Sequence, residues 1–179
     1  MASSLRTETA SLVRLADRDL ARLWRLVAAG AAADEALRDL LPAIVTEYGA
    51  AGAALAAEWY DEQRAEAGVA RAFTAVPAEA SDRGTQSLIG WALTTAADDA
   101  GLQALILGGV QRRIADHVRG TVTGSAVADP SARGWRRVGD GDSCLFCSLL
   151  LSRGAVYSEA TADFKSHDNC GCSAAPDWR

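Results

Sequence analysis

The 179-residue sequence predicts a mainly α protein: an antiparallel helical N-terminal region followed by a small α+β zinc-stabilised C-terminal module. Three observations predict it. Apolar residues recur at helical spacing from Thr7 to about Val122. The period then stops at "GSAVADPSARG", Gly124 to Gly134, where small residues, Pro130 and Gly134 punctuate the chain. All four cysteines and one of the two histidines lie beyond that break. The resulting division is a helical region over 1–124, a linker over 125–134 and a Cys/His module over 135–179.

The first helix is expected from Thr7 to Ala29, with Leu12, Leu15, Leu20, Leu23 and Val27 facing in and Gly30 as its stop. Arg14, Arg18, Arg22 and Arg25 read as its solvated face. The second begins near Asp34, a capping residue, and reaches about Gly68. Its stripe is Leu37, Leu40, Leu41, Ile44, Val45, Tyr48, Leu55 and Trp59. Pro42 lacks an N–H and should start a new segment or kink this one. Gly49 and Gly52 make a thin face that lets another helix approach closely.

"VARAFTAVPAEASDRG" breaks the period and reads as a loop. A third helix follows from Thr85 to Ala97, with Leu88, Trp91, Ala92 and Thr95 inward. Asp98 or Asp99 caps a fourth, whose stripe is Leu102, Leu105, Ile106, Val110, Ile114, Val118 and Val122. His117 lies beside that stripe and receives no role. In the module, Cys147 should open a short helix through Leu151, ended by Gly154, and "AVYS" and "CSAA" should be short strands.

Composition narrows the function classes. A hydrophobic content of 49% supports a real core, and a net charge of -5 disfavours a polyanion as a global partner. The N-terminal stretch has no apolar run of a secretory signal. "LQALILGGV", the longest apolar run, is about half of the ~20 residues that cross a membrane. These features suggest a soluble chain with no membrane partner, made in a reducing cytoplasm. There, clustered cysteines point to metal or catalysis before disulfides.

The cluster reads Cys144-x2-Cys147, nineteen residues, then His167-x2-Cys170-x-Cys172. Cys-x2-Cys turns two sulfurs toward one point, and zinc needs two further soft or borderline ligands. Three candidates remain for two places, so the fourth ligand is open between Cys170, which suits a compact knuckle, and Cys172, which suits a departing strand. A site filled by protein ligands has no open position for Lewis-acid catalysis. A disulfide pair, a thioredoxin-like motif in "SCLFCS" and a His-Asn-His type nuclease are the rivals. The last needs a free histidine, and His167 is placed as a ligand. Asp142, Asp163 and Asp168 read as turn formers instead of catalytic groups.

The stretch "GWRRVGDGDSCLFCSLLLSRGAVYSEATADFKSHDNCGCSAAPDW", Gly134 to Trp178, resembles the MuF-like minor head proteins of tailed bacteriophages. This is the phage head morphogenesis family, in its actinobacterial-phage form. The resemblance rests on a tryptophan, Cys-x-x-Cys, a short helix ending in glycine, "AVY" and His-x-x-Cys-x-Cys before a proline, and covers about a quarter of the chain. It implies a structural minor capsid protein, not an enzyme, carrying zinc through Cys144, Cys147, His167, Cys170 and Cys172. It also implies binding to portal, scaffold or capsid proteins, assembly in the host cytoplasm and a final place inside the capsid. The family often has proline before the histidine and arginine between the last two cysteines, where Ser166 and Gly171 stand here.

From Arg112 to Arg137 there are six arginines and two acids. Arg112, Arg113, Arg119, Arg133, Trp135, Arg136 and Arg137 therefore form a candidate surface for an acidic portal face or for non-specific DNA contact. A solvated helix end is the plain alternative. The other function class is a metal-dependent nucleic-acid-binding module or nuclease.

Overall fold

The computed structural model describes residues 2–28, 30–139, 141, 144–158 and 163–178. Four long helices come first: α1 (Ala2–Ala28), α2 (Ala33–Glu66), α3 (Thr85–Thr95) and α4 (Asp99–Ala128). A small module follows with β1 (Gly134–Val138), α5 (Leu145–Leu151), β2 (Ala155–Tyr157) and β3 (Ser173–Asp177). The sequence thus folds as expected into a mainly helical region with a small α+β module. The expected end of the first helix, Ala29, and the turn former Asp142 lie outside the described residues.

The pairs α1–α2 and α3–α4 are antiparallel, as the contacts Tyr48–Asp19 and Gly109–Leu88 indicate. Helices α2 and α4 run side by side in one direction: Gly49 meets His117, Gly52 meets Val118, and Arg64 meets Asp129. A Cβ on Gly52 would stand 2.9 Å from the Val118 side chain, so glycine permits the approach that the sequence led us to expect.

Parallel neighbours need a return path, and residues 67–84 supply it. This strap is pinned to α4 at three successive turns. Ala78 N–H donates to Thr121 Oγ1 (2.9 Å), Ser81 N–H to His117 Nε2 (3.1 Å), and Arg113 Nη2 to the Gly84 carbonyl (2.6 Å). His117 donates from Nδ1 to the Arg113 carbonyl at 2.8 Å, so its role is to hold the strap.

Several local expectations change. Pro42 sits inside an unbroken α2. The Arg38 carbonyl that it frees accepts from Gln86 Nε2 of α3 at 3.4 Å, which offsets part of the lost bond. Ala32, not Asp34, precedes α2, and Asp34 pairs with Arg38 one turn on. Leu15 and Leu40 of the expected stripes are exposed, as are Trp91 and Thr95, while Ile89 is buried in their stead. Helix α3 meets α2 and α4 with Leu88, Ile89 and Ala92, and Trp91 and Thr95 lie outside that face. By length and composition, α2 passes for a membrane span. Its Leu37, Leu41, Val45, Ala53 and Ala56 are buried in the bundle. Asp98 caps α4 as expected, accepting from Gly101 N–H at 2.7 Å.

Helix α4 continues to Ala128, four residues into the expected linker. Asp129 then ends it as a buried hub. Its carboxylate accepts from Arg64 Nε (2.8 Å), Tyr60 Oη (3.2 Å), Trp178 Nε1 (3.1 Å) and Ser131 N–H (2.9 Å). This joins α2, α4 and the chain after β3. Burial alone would raise its pKa, but the Arg64 hydrogen bond and the other donors hold it below the usual carboxylate range.

Strand β1, which the sequence did not reveal, is the middle of an antiparallel sheet of order β2-β1-β3. Trp135 pairs with Pro176 and Tyr157, and Arg137 with Ala174. Pro176 is tolerated because β3 is an edge strand. Trp135, Ala174 and Ala175 share one buried cluster with Ala56, Tyr60, Val118 and Val122 of the helices. The sheet therefore leans on the bundle. Cys147, Cys170 and Cys172 form a separate, smaller cluster beside Phe164.

Candidate metal centre

Helix α5 opens at Leu145, two residues before the expected start, with Cys144 as its N-cap. The Cys147 N–H points at Cys144 Sγ at 3.5 Å, and Cys147 itself faces inward, 1% exposed. The chain returns through a turn closed by Cys170 N–H on the His167 carbonyl at 3.2 Å. Asn169 takes φ 60° in that turn, a conformation asparagine tolerates well. His167 Nδ1 donates to the Asp168 carbonyl at 2.8 Å. That bond fixes the tautomer and leaves the Nε2 lone pair facing the sulfurs.

Nε2 of His167 lies 3.2 Å from Cys144 Sγ and 3.6 Å from Cys147 Sγ. Cys147 and Cys170 sulfurs are 3.7 Å apart. Tetrahedral zinc, with Zn–S of about 2.3 Å and Zn–N of about 2.0 Å, separates sulfur pairs by about 3.8 Å and sulfur–nitrogen pairs by about 3.5 Å. Two triads result: Cys144, Cys147 and His167, then Cys147, Cys170 and Cys172, each with its ligand atoms within 4.8 Å of one another. Cys147 belongs to both. The cluster can bind a metal such as zinc.

Electrostatics argue for a cation. The Cys147 N–H draws the exposed Cys144 thiol down to about 7. Burial, followed by the three neighbouring thiols, pushes Cys147 up. Burial also works against Cys170, but the Cys172 N–H and the Arg119 charge outweigh it and lower that thiol. The bond to Asp168 and then Cys144 raise His167. Crowded sulfurs resist joint ionisation, and a divalent ion reverses that by replacing protons with its own charge.

The sequence model of one protein family, described as VG15 protein, matches residues 1–179. The chain belongs to the VG15 family. No curated protein and no solved structure matches it. In this VG15 protein, the seven residues of the expected basic surface separate into two groups. Arg119, Trp135 and Arg137 are buried, which removes them from any contact surface. Trp135 stacks on Tyr157 at 4.3 Å, and Arg137 lies over the Phe164 ring at 3.7 Å and donates to the Lys165 carbonyl at 2.6 Å.

Arg119 has the role that sequence reasoning missed. From α4 it donates to the Cys170 carbonyl (2.5 Å) and the Cys172 carbonyl (3.0 Å), while Asp116 balances its charge at 2.7 Å. It clamps the ligand-bearing segment to the bundle. Its place among other arginines hid this, since spacing alone does not reveal a carbonyl partner 51 residues away.

Of the remaining four, Arg133 is exposed. Arg112 pairs with Asp116 and Asp168, each at 3.6 Å, and Arg136 with Asp177 at 3.9 Å. Arg113 is half-buried and tied to the carbonyls of Gly84 and Gly109. Asp163 pairs with Lys165 at 2.8 Å.

Proposed function

We propose that this VG15 protein is a structural minor head protein of a tailed phage, related to the MuF-like proteins, that docks on portal or scaffold inside the procapsid. Its C-terminal module carries one structural zinc held by Cys144, Cys147 and His167 together with Cys170 or Cys172. The observation that carries this reading is the pair of triads that share Cys147, one with Cys144 and His167 and one with Cys170 and Cys172, at the positions where the sequence resembles MuF-like proteins. A closed four-ligand site gives no open position for catalysis. Both histidines are engaged, His117 by the strap and His167 by the thiols, which favours an architectural role over a nuclease.

The test is co-expression with the portal and scaffold proteins of a tailed phage whose genome encodes this chain, followed by purification of procapsids. The chain should sediment with procapsids, at about one zinc per copy. Its absence from them, or protein purified without chelator that holds no metal, would overturn the reading. DNA cleavage abolished in a folded Cys144→Ser variant would favour the metal-dependent nucleic-acid enzyme.

A further inference from the structure

A cavity of about 620 Å³ lies between α4 and the segment that precedes His167. Among the described residues, its charged lining is Arg112, Asp116 and Arg119 from α4, with Asp163 and Lys165 opposite. Each of those cations already has a carboxylate. Asp116 stands 3.6 Å from Arg112 and 2.7 Å from Arg119, and Asp163 stands 2.8 Å from Lys165. The exception sits just behind this wall. Arg64, Arg119 and Arg137 are the buried arginines among the described residues. Arg64 has Asp129 and Arg119 has Asp116, but Arg137 has no acid. Its side chain has the Phe164 ring at 3.7 Å and the Lys165 carbonyl at 2.6 Å, and both residues line the cavity. Its Nε and Nη1 are buried and make no hydrogen bond.

A second orphan belongs to the same wall. Trp135 lines the cavity and is 1% exposed, and its Nε1–H has no acceptor. Tyr157 and Phe164 stack on its ring at 4.3 and 5.6 Å, so the indole cannot swing to find one. Trp135 and Arg137 are two residues apart on β1 and share a face. The unmet atoms of this pair are therefore all donors, and one side chain carries a full charge. A water would accept from Trp135 but would bring no charge. A buried cation without a counter-charge is among the costliest features a fold can carry. An anion answers both needs.

We infer that this cavity binds a phosphate group at its Trp135 end, with Arg137 as the counter-charge and Trp135 Nε1 as a hydrogen-bond donor. Phosphate carries three strong acceptor oxygens about one centre, which matches three orphaned nitrogens better than the two coplanar oxygens of a carboxylate. The ligand is a small solute. Trp135 and Arg137 are too deeply buried for a DNA backbone lying on the surface to reach them. The cavity falls within the range of about 300–1,000 Å³ typical of small-molecule pockets, so it has room for a phosphate ester as well as for the free ion. This goes beyond the proposed function and holds whether or not the chain is a head protein.

The experiment is calorimetric titration of the full-length protein with sodium phosphate and, separately, with deoxyadenosine 5′-monophosphate. Each is compared with sodium chloride at equal ionic strength. Saturable binding with Kd at or below about 1 mM is expected, and Tm should rise with phosphate but not with chloride. Arg137→Met should weaken binding at least about tenfold and remove the Tm response. Its Tm without phosphate should equal or exceed that of the wild type, because the uncompensated charge is gone. Gly124 gives a second variant that does not touch the buried pair. It lines the cavity at an exposed helical position where a Cβ would meet nothing within 4 Å. Gly124→Glu therefore adds a negative charge to the wall without disturbing the fold, and should abolish binding. Tighter binding of the nucleotide than of phosphate assigns the site to an ester, and the reverse assigns it to the free ion; either supports the inference. No saturable heat with either probe, a Tm response that chloride reproduces, or binding unchanged in both variants overturns it.

Discussion

Replacing Asp129 with alanine tests how the C-terminal module is tied to the helices. The carboxylate is fully buried, and its Arg64 partner is 7% exposed at the side chain. Removing it leaves a guanidinium without a counter-charge, and leaves Tyr60 Oη and Trp178 Nε1 without their acceptor. Breaking a buried ion pair from one side costs roughly 3–5 kcal/mol, and orphaned donors add to that, though not additively. A value of about 4 kcal/mol is expected. With an unfolding entropy of about 2.1 cal/mol/K per residue over 179 residues, this lowers Tm by about 10 °C.

The assay is urea unfolding followed by tryptophan fluorescence and far-UV circular dichroism, with Trp178 beside the site as a reporter. The pair Arg64→Met with Asp129→Leu should recover much of the loss, because it removes both charges together. The carboxyl pKa is depressed in the folded state, so the folded protein binds fewer protons than the unfolded one in acid. Stability from Asp129 is therefore complete above the ordinary carboxylate range and fades as pH falls through the lowered value. The alanine variant should lack that acid dependence below about pH 4. A cost under about 1 kcal/mol at unchanged m-value would refute the reasoning, since it would mean that water already solvates the hub.

Arg119→Ala should weaken zinc binding by about 10–100-fold, measured by competition with a chromogenic chelator, because the Cys170 and Cys172 carbonyls lose their clamp. Gly134→Ala should cost about 3 kcal/mol in urea unfolding: φ is +141°, and a Cβ would stand 2.3 Å from the Tyr157 carbonyl oxygen. Chelating the metal should raise hydrogen exchange of backbone amides over 144–152 and 165–172 while β1 and β3 stay protected. Equal deprotection of the strands would contradict the separation of the two buried clusters.

What the sequence disclosed is what short-range rules govern. The α4 stripe, the Asp98 cap and the close approach at Gly52 follow from period and residue size, and all are present. The Cys/His spacing likewise brought the candidate ligands together. Features set by distant partners stayed hidden. Strand β1 reads as a basic stretch, because "GWRRV" carries two arginines, one of them buried only through Phe164 and the Lys165 carbonyl. Asp129 reads as a linker residue until Arg64 and Trp178 arrive from 65 and 49 residues away. Trp91 reads as core because a tryptophan on a helix usually is, yet α3 presents it to solvent.

This division of labour changes what the metal is needed for. Fewer than fifty residues follow Gly134, and that length alone would require a metal to hold any fold. The sheet does not stand alone, however: Trp135 and Ala175 complete a core that Tyr60 and Val122 begin, and Asp129 fastens the joint. The work of a metal bound there would then be confined to α5 and the His167 turn, which meets the bundle through the Arg119 clamp, the Arg112–Asp168 pair and the Ser166 hydroxyl donating to Asp116. Those are the elements that turn Leu145, Phe146 and Leu149 outward. A metal in this site would act less as a folding nucleus for the chain than as the fixture that holds one exposed apolar helix, α5, in a defined orientation.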